Sequence, residues 1–179
     1  MKIESTAYGK SELDGYLDEL IDHDRRHLAD RLEGLSAKLA ELGGRVRENP
    51  PSEEQQWTAQ EILAHIAVLS KFYGMLTYKI GTGAMTELDL LGNVNQRDVV
   101  GEQLSKLPPS QLVEMARADH QRTVTYLRQA DAKAMRATCV IDGGRSTMTA
   151  ADFARLPLIA HLDGHLDQLA AALDGASST

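Results

Sequence analysis

The chain has 179 residues, a formal net charge of −7 at pH 7 and a single cysteine. This length predicts one domain spanning residues 1–179, and the negative charge argues against nucleic acid as a partner, because phosphate binding needs a basic surface. No apolar run reaches the roughly 20 residues that span a bilayer, and the first residues lack the apolar region of a secretory signal. We therefore expect a cytoplasmic protein without a membrane segment.

Aromatic residues make up only 4% of the chain, while alanine and leucine are abundant. This composition favours helices over strands, and the first predicted helix runs from about Ser11 to Leu42. Its apolar residues recur at steps of three and four, which places them on one face; they are Leu13, Leu17, Leu20, Ile21, Leu28, Leu32, Leu35 and Leu39.

A capping box predicts where the second helix begins. Thr58 is followed three residues later by Glu61, so the side chain of each residue can bond the backbone N–H of the other. The helix is predicted to continue to Gly81 along an apolar stripe of Ile62, Ile66, Leu69, Phe72 or Tyr73, Leu76 and Ile80. The following residues, 84–106, show no regular pattern.

A third helix is predicted after Pro108-Pro109, and residues 134–148 are expected to form a short hairpin or an extended lid. The fourth helix begins at Thr149, has Pro157 as a site for a kink, and ends near Leu173. The tail, residues 175–179, is expected to be disordered. The predicted fold is all-α, a four-helix bundle that is up-down where the loops are short and has a long connection between helices 2 and 3.

Three histidines suggest a metal site. His161 and His165 are four residues apart, so their rings lie on the same helix face and can reach one ion. His65 lies on the buried stripe of the second helix, where a lone histidine is more often an ordinary core residue. Together the three form a set of imidazole ligands that leaves a coordination position open, as catalytic sites do.

The remaining histidines and the cysteine have simpler interpretations. His23 and His27 are also four residues apart, but they lie in a charged run and predict a solvated face. His120 is interpreted as a boundary residue of the third helix, with contact to a substrate or to a metal ligand as the alternative. Cys139 lies in a β-prone stretch without a neighbouring base, which indicates a buried structural residue.

The residues Trp57-Thr58-x-x-Glu61-Ile62-Leu63-Ala64-His65 and His161-x-x-x-His165-x-x-Gln168 resemble the second-helix and last-helix motifs of the DinB/YfiT-like superfamily. The resemblance covers nearly the whole chain. It implies a four-helix bundle, three histidines on one divalent metal, commonly Ni²⁺ or Zn²⁺, and a homodimer. Residues 88–96 are more loosely similar to a connection in the mycothiol-dependent maleylpyruvate isomerase-like members.

Three functions are consistent with these residues. The first is a thiol S-transferase, in which the metal holds a low-molecular-weight thiol as its thiolate. The second is a hydrolase, in which the metal lowers the pKa of water to about 7. The third is a non-enzymatic binding or stress-response module. The first two functions use the same metal ligands, so the ligands alone do not distinguish a transferase from a hydrolase. The sequence identifies no catalytic residue for either one.

Other side chains would distinguish the two enzymes. Cationic groups for a carboxylate-bearing thiol would favour transfer, and the candidates are Arg97, Arg145 and Arg155. A carboxylate acting as a general base would favour hydrolysis, and the candidates are Glu61 and Asp163. Glu61 is also predicted to be occupied by its capping role.

Overall fold

The computed structural model describes residues 9–48, 57–93 and 100–176. Helices dominate this part of the chain, and none of the described helices is both long enough and apolar enough to cross a membrane. The secondary structure agrees with the predicted all-α class, apart from one small sheet. A further helical turn covers residues 100–104.

Helix α1, Lys10–Gly43, contributes to the core only from its middle onward. Leu28, Leu32 and Leu39 are buried, whereas Leu13, Leu17 and Leu20 are exposed. The prediction that all these leucines form one buried face was therefore wrong for the first three. The cause is length, because α1 has 34 residues and α2 has 23, so α1 is about 16 Å longer than α2 at 1.5 Å per residue.

Helices α2, Ala59–Gly81, and α3, Pro109–Gln129, pack closely against each other. A Cβ atom on Gly74 of α2 would lie 2.4 Å from Oγ1 of Thr123 on α3. Contact at this distance is possible only for glycine, so this residue fixes how near the two helix axes come. The predicted apolar stripe of α2 is buried, with Phe72 half-buried at its edge.

Side-chain contacts show that α2 and α3 run in the same direction. The amide of Gln60, at the start of α2, donates to the carbonyls of Ser105 and Leu107 just before α3. Further along both helices, Ser70 contacts His120. The up-down prediction concerned neighbours joined by short loops, so it did not extend to this pair. Parallel neighbours need a long connection between them, and the predicted long connection between α2 and α3 provides it.

Ion pairs show that α1 and the C-terminal helix also run in the same direction. Arg31 pairs with Asp163 at 3.3 Å, and Arg45, just beyond α1, pairs with Asp174 at 3.0 Å. In contrast, Arg25 donates to the carbonyl of Leu127 at the end of α3, so α1 and α3 are antiparallel. Both α1 and α2 therefore pack between α3 and the C-terminal helix.

A short helix, α4, covers Ala132–Arg136, and three short strands form a small sheet. β2, Thr138–Ile141, and β3, Ser146–Thr149, form the antiparallel hairpin that was one of the two predicted alternatives. β1, Glu87–Leu88, pairs in parallel with β2 and was not predicted. The Oδ1 atom of Asp142 in the hairpin turn accepts hydrogen bonds from the N–H groups of Leu90 and Leu91, which ties the α2–α3 connection to the hairpin.

The C-terminal helix has three consecutive parts, which we call together the last helix. They are α5, Ala150–Phe153, a π-helical segment, Ala154–Ala160, and α6, His161–Ala176. Pro157 lies inside the π segment and His161 N–H donates to Leu156 O, five residues back. The predicted disturbance at Pro157 is therefore a π segment. The helix ends beyond the predicted Leu173, so residues 175 and 176 are helical, and residues 177–179 lie outside the described part.

Candidate metal centre

His65 is positioned by the capped start of α2. Thr58 is the N-cap, its Oγ1 accepts from the N–H of Glu61, and the Glu61 carboxylate accepts from the N–H and the hydroxyl of Thr58. This is the predicted capping box. His65 follows in the second turn of the helix and is half-buried, while Ile62 and Ile66 beside it are buried.

His161 and His165 lie in the first two turns of α6. Leu162 and Leu166, one position further along in each turn, are buried in the core. The two histidines therefore lie at the margin of the buried face, where both rings stay partly accessible to solvent. This margin faces α2, which packs against the last helix.

The structure brings these three histidines together. One ligand atom from each of His65, His161 and His165 lies within 4.8 Å of the other two. The Nε2 atoms of His161 and His165 are 2.9 Å apart, and the ring centroids of His65 and His165 are 4.6 Å apart. Among the described residues, this is the group of histidine, cysteine, aspartate and glutamate side chains that could hold a metal ion.

The donor set fits a first-row divalent ion. Two ring nitrogens bound to the same ion at 2.0–2.1 Å are about 3–4 Å apart, close to the separations in this cluster. The 2.9 Å contact between two Nε2 atoms needs a proton on one of them, and a cation between the rings would take the place of that proton. Neutral imidazole suits zinc and nickel as a ligand.

Two aromatic residues flank the histidines. Trp57, just before α2, lies 4.7 Å from His65 and 6.3 Å from His165 between ring centroids, and its ring is within 18° of parallel to that of His165. Its side chain is 47% exposed. Tyr73 is buried and lies 6.3 Å from His161. The site is thus bounded on one side by a half-exposed indole.

The two carboxylates predicted as general bases have other partners. Glu61 is engaged in the cap of α2. Asp163, between the two histidines of α6, pairs with Arg31 of α1. Neither contact places a general base against the three histidines.

Two of the three cationic candidates lie within the described residues. Arg155 pairs with Asp24 and Asp152. Arg145 is exposed in the hairpin turn before β3, at the end of the hairpin away from α5. Arg97 lies outside the described residues.

The other histidines are separate from this cluster. His23 and His27 are exposed on α1, in agreement with the predicted solvated face. His120 is buried rather than at the boundary, and its Nε2 lies 2.7 Å from Oγ of Ser70. Burial, reinforced by the nearby charge of Arg117, lowers the pKa of His120 to about 4.

Cys139 has the predicted buried position. Its thiol is in the core, and burial, reinforced by the nearby Glu87, raises its pKa. A raised pKa keeps the thiol protonated at neutral pH, which makes it a poor nucleophile. This residue is structural.

Two further residues of the site, Trp57 and Gln168, belong to the sequence motifs, but the sequence predicted no role for them. Trp57 contacts two of the three histidines, and Oε1 of Gln168 lies 2.9 Å from Nδ1 of His165. A usable signal existed for Gln168, because residues three apart on a helix are neighbours. The position of Trp57 before the helix gave no comparable signal.

Comparison with known proteins gives the family but no close relative. No curated protein and no solved structure matches the chain. A family model, described as the DinB superfamily, matches residues 20–169, which include all three clustered histidines. The chain therefore belongs to the DinB superfamily.

Proposed function

We propose that this protein is a divalent-metal-dependent thiol S-transferase whose metal ligands are His65, His161 and His165. The observation that carries the proposal is the convergence of three partly accessible imidazoles at the α2–α6 contact. Three neutral ligands leave the ion with its full charge and with at least one open position. Ni²⁺ and Zn²⁺ are the ions proposed, because both accept imidazole nitrogen.

The scaffold for this site is proposed as one domain, residues 1–179, folded as a four-helix bundle. The contacts of α1 and α2 with both α3 and the last helix support a bundle. We propose that the protein acts as a homodimer in the cytoplasm on a small-molecule substrate. Neither a membrane nor nucleic acid is proposed as a partner, and the net charge of −7 argues against nucleic acid.

A divalent ion held by His65, His161 and His165 would supply the positive charge that keeps a low-molecular-weight thiol, such as mycothiol, in its thiolate form at neutral pH. The protein then needs no separate base to deprotonate the sulfur. This fits a cluster whose neighbouring carboxylates, Glu61 and Asp163, are both engaged elsewhere. The same observation counts against hydrolysis, in which a carboxylate commonly positions or deprotonates water.

The role of the chain's own residues is to bind and to orient. His161 and His165 come from one rigid helix, and His65 from the capped start of another, so their relative position is set by helix packing. The half-exposed indole of Trp57 beside them excludes water from one side of the cluster. An electrophile would approach the thiolate from the remaining open side.

The test uses a cobalt- or nickel-substituted protein and a thiol. Sulfur coordination produces a charge-transfer band, so we expect cysteine at millimolar concentration to change the visible and near-ultraviolet spectrum. Binding should strengthen as the pH rises towards the thiol pKa of about 8.5, because the thiolate is the coordinating species. His65→Ala should abolish the change, and His27→Ala, on the exposed face of α1, is the matched control.

Three outcomes separate the candidate functions. A spectral change followed by transfer to an electrophile supports the transferase. A metal-loaded protein whose spectrum ignores thiols but which hydrolyses ester or amide substrates would replace it with a hydrolase. A protein that binds metal and does neither would be a binding module, and the enzymatic proposal would fall.

A further inference from the structure

One hydrogen bond beside the metal cluster has a direct chemical consequence. Nδ1 of His165 lies 2.9 Å from Oε1 of Gln168, three residues further along α6. The other ring nitrogen, Nε2, lies 2.9 Å from Nε2 of His161 and so faces the cluster. The two nitrogens of His165 therefore have different neighbours, an amide on one side and the candidate metal position on the other.

A neutral imidazole carries one proton, so one nitrogen donates a hydrogen bond and the other offers a lone pair. His165 can act as a ligand through Nε2 only when the proton is on Nδ1. An acceptor next to Nδ1 stabilises this tautomer, and the amide oxygen of Gln168 is such an acceptor. The 2.9 Å distance is that of an ordinary N–H···O hydrogen bond.

We propose that Gln168 is a positioning residue that keeps the proton of His165 on Nδ1 and thereby presents Nε2 to the metal. The role rests on the proposed metal site. It has a second consequence in the metal-free protein. Only one of the two facing Nε2 atoms carries a proton, and Gln168 assigns that proton to His161.

Replacing the amide of Gln168 with a carboxylate should change how strongly the tautomer of His165 is held. The Gln168 side chain can rotate and present its NH₂ group, which would favour the opposite tautomer, whereas a carboxylate can only accept. Gln168→Glu should therefore hold the required tautomer more strongly and make the ring nitrogen a better donor. Gln168→Ala leaves Nδ1 to solvent water. Both variants should fold, because Gln168 is exposed.

The first experiment measures Ni²⁺ and Zn²⁺ affinity by competition calorimetry. We expect Gln168→Ala to bind roughly 10-fold to 100-fold more weakly than the wild type, the range for lost partners of metal-ligating histidines. Gln168→Glu should bind at least as tightly as the wild type. Ala171→Glu is the matched control, since it adds the same charge on an exposed position one turn further along, and it should stay within about twofold.

The second experiment needs no metal. Long-range ¹H–¹⁵N spectra of the metal-free protein should show His165 protonated on Nδ1 in the wild type, and a mixture of tautomers in Gln168→Ala. A wild-type His165 protonated on Nε2 would overturn the proposal. If the wild type binds metal, a Gln168→Ala variant whose metal affinity stays within about twofold of the wild-type affinity would also overturn the proposal.

These outcomes are distinct from failure of the proposed function. A wild-type protein that binds neither Ni²⁺ nor Zn²⁺ removes the metal site and, with it, this role of Gln168. If the wild type binds metal and thiol and Gln168→Ala behaves identically, the proposed function stands and only the role of Gln168 is lost.

Discussion

Helix α2 carries a polar contact on two of its sides, and the two differ sharply. Towards the last helix, His65 meets two further histidines at a margin that solvent reaches. Towards α3, Ser70 meets the single His120 in an interface that solvent does not reach. The same residue type is therefore available to a cation on one side and held neutral on the other. Accessibility and the number of neighbouring donors, rather than the presence of histidine, distinguish a ligand set from a core residue.

The largest effect should come from removing a ligand on the accessible side. His65→Ala, His161→Ala and His165→Ala should each weaken Ni²⁺ or Zn²⁺ binding by about 100-fold or more, because two imidazoles rarely retain an ion that three hold. Calorimetry with each variant measures this. His23→Ala and His27→Ala are the controls. Loss of binding in the control pair, with binding kept in the other three, would show that the wrong histidines were assigned.

The buried side should respond to pH. The pKa of His120 is about 4 in the folded protein and about 6.5 when unfolded, so only the unfolded chain gains its proton as the pH falls below 6.5. Stability is therefore full above pH 6.5 and decreases until about pH 4, by roughly 3 kcal/mol in total. Urea unfolding of metal-free protein at several pH values measures the slope.

The control for that slope removes the ligand histidines. In a His65→Ala, His161→Ala, His165→Ala background the contribution of His120 should remain, and adding His120→Leu should reduce the slope between pH 6.5 and 4. An unchanged slope in the His120→Leu protein would mean that other groups cause the acid sensitivity.

Removing the N-cap of α2 should have an intermediate effect, because this helix carries both His65 and Ser70. Thr58→Ala removes the N-cap oxygen that accepts from Glu61 N–H, and loss of such a cap costs about 1 kcal/mol. Chemical unfolding measures this. Thr125→Ala is the comparison, because Thr125 is exposed on α3 and its hydroxyl donates to the carbonyl of Gln121 in the same helix. Equal losses in the two variants would mean that the cap contributes nothing special.

The smallest effect should come from the ion pairs that join α1 to the last helix. Lys38 and Asp167 are 2.7 Å apart, but both side chains are exposed. Exposed pairs contribute between 0 and about 1 kcal/mol, so Asp167→Asn should lower the unfolding free energy by less than about 0.5 kcal/mol. A loss above 1 kcal/mol would show that these pairs, rather than the apolar contacts, align the two helices.

The sequence was sufficient where a local rule determines the structure. The caps at Thr58 and Thr149 mark the two helix starts correctly, because capping depends on residues three apart. The spacing of His161 and His165, together with His65 on an apolar stripe, identified the three residues that cluster. Local periodicity also gave the buried face of α2.

What failed depends on distant contacts. The exposure of Leu13, Leu17 and Leu20 follows from the lengths of other helices, which the periodicity of α1 does not report. The sequence left the relative direction of α2 and α3 open, because a long connection permits either direction. β1 has only two residues and exists because β2 pairs with it.

The π segment around Pro157 amounts to a single-residue insertion in an otherwise regular helix. Buried positions before it are Ala150, Phe153 and Ala154, and those after it are Leu158, Ile159, Leu162, Leu166, Leu169 and Leu173. In a continuous α-helix at 100° per residue, the centres of these two sets would point roughly 140° apart, and His161 would point close to the first centre. The wider π turn contains about one extra residue, which corrects about 100° of this angular difference.

A helical wheel drawn through the whole of the last helix would therefore place His161 in the protein interior. Sequence alignments of relatives without the extra residue would need a one-position gap before the histidine pair to keep His161 and His165 in register. Anyone transplanting this site to another helical scaffold should copy the helix from His161 onward, or carry the π segment with it.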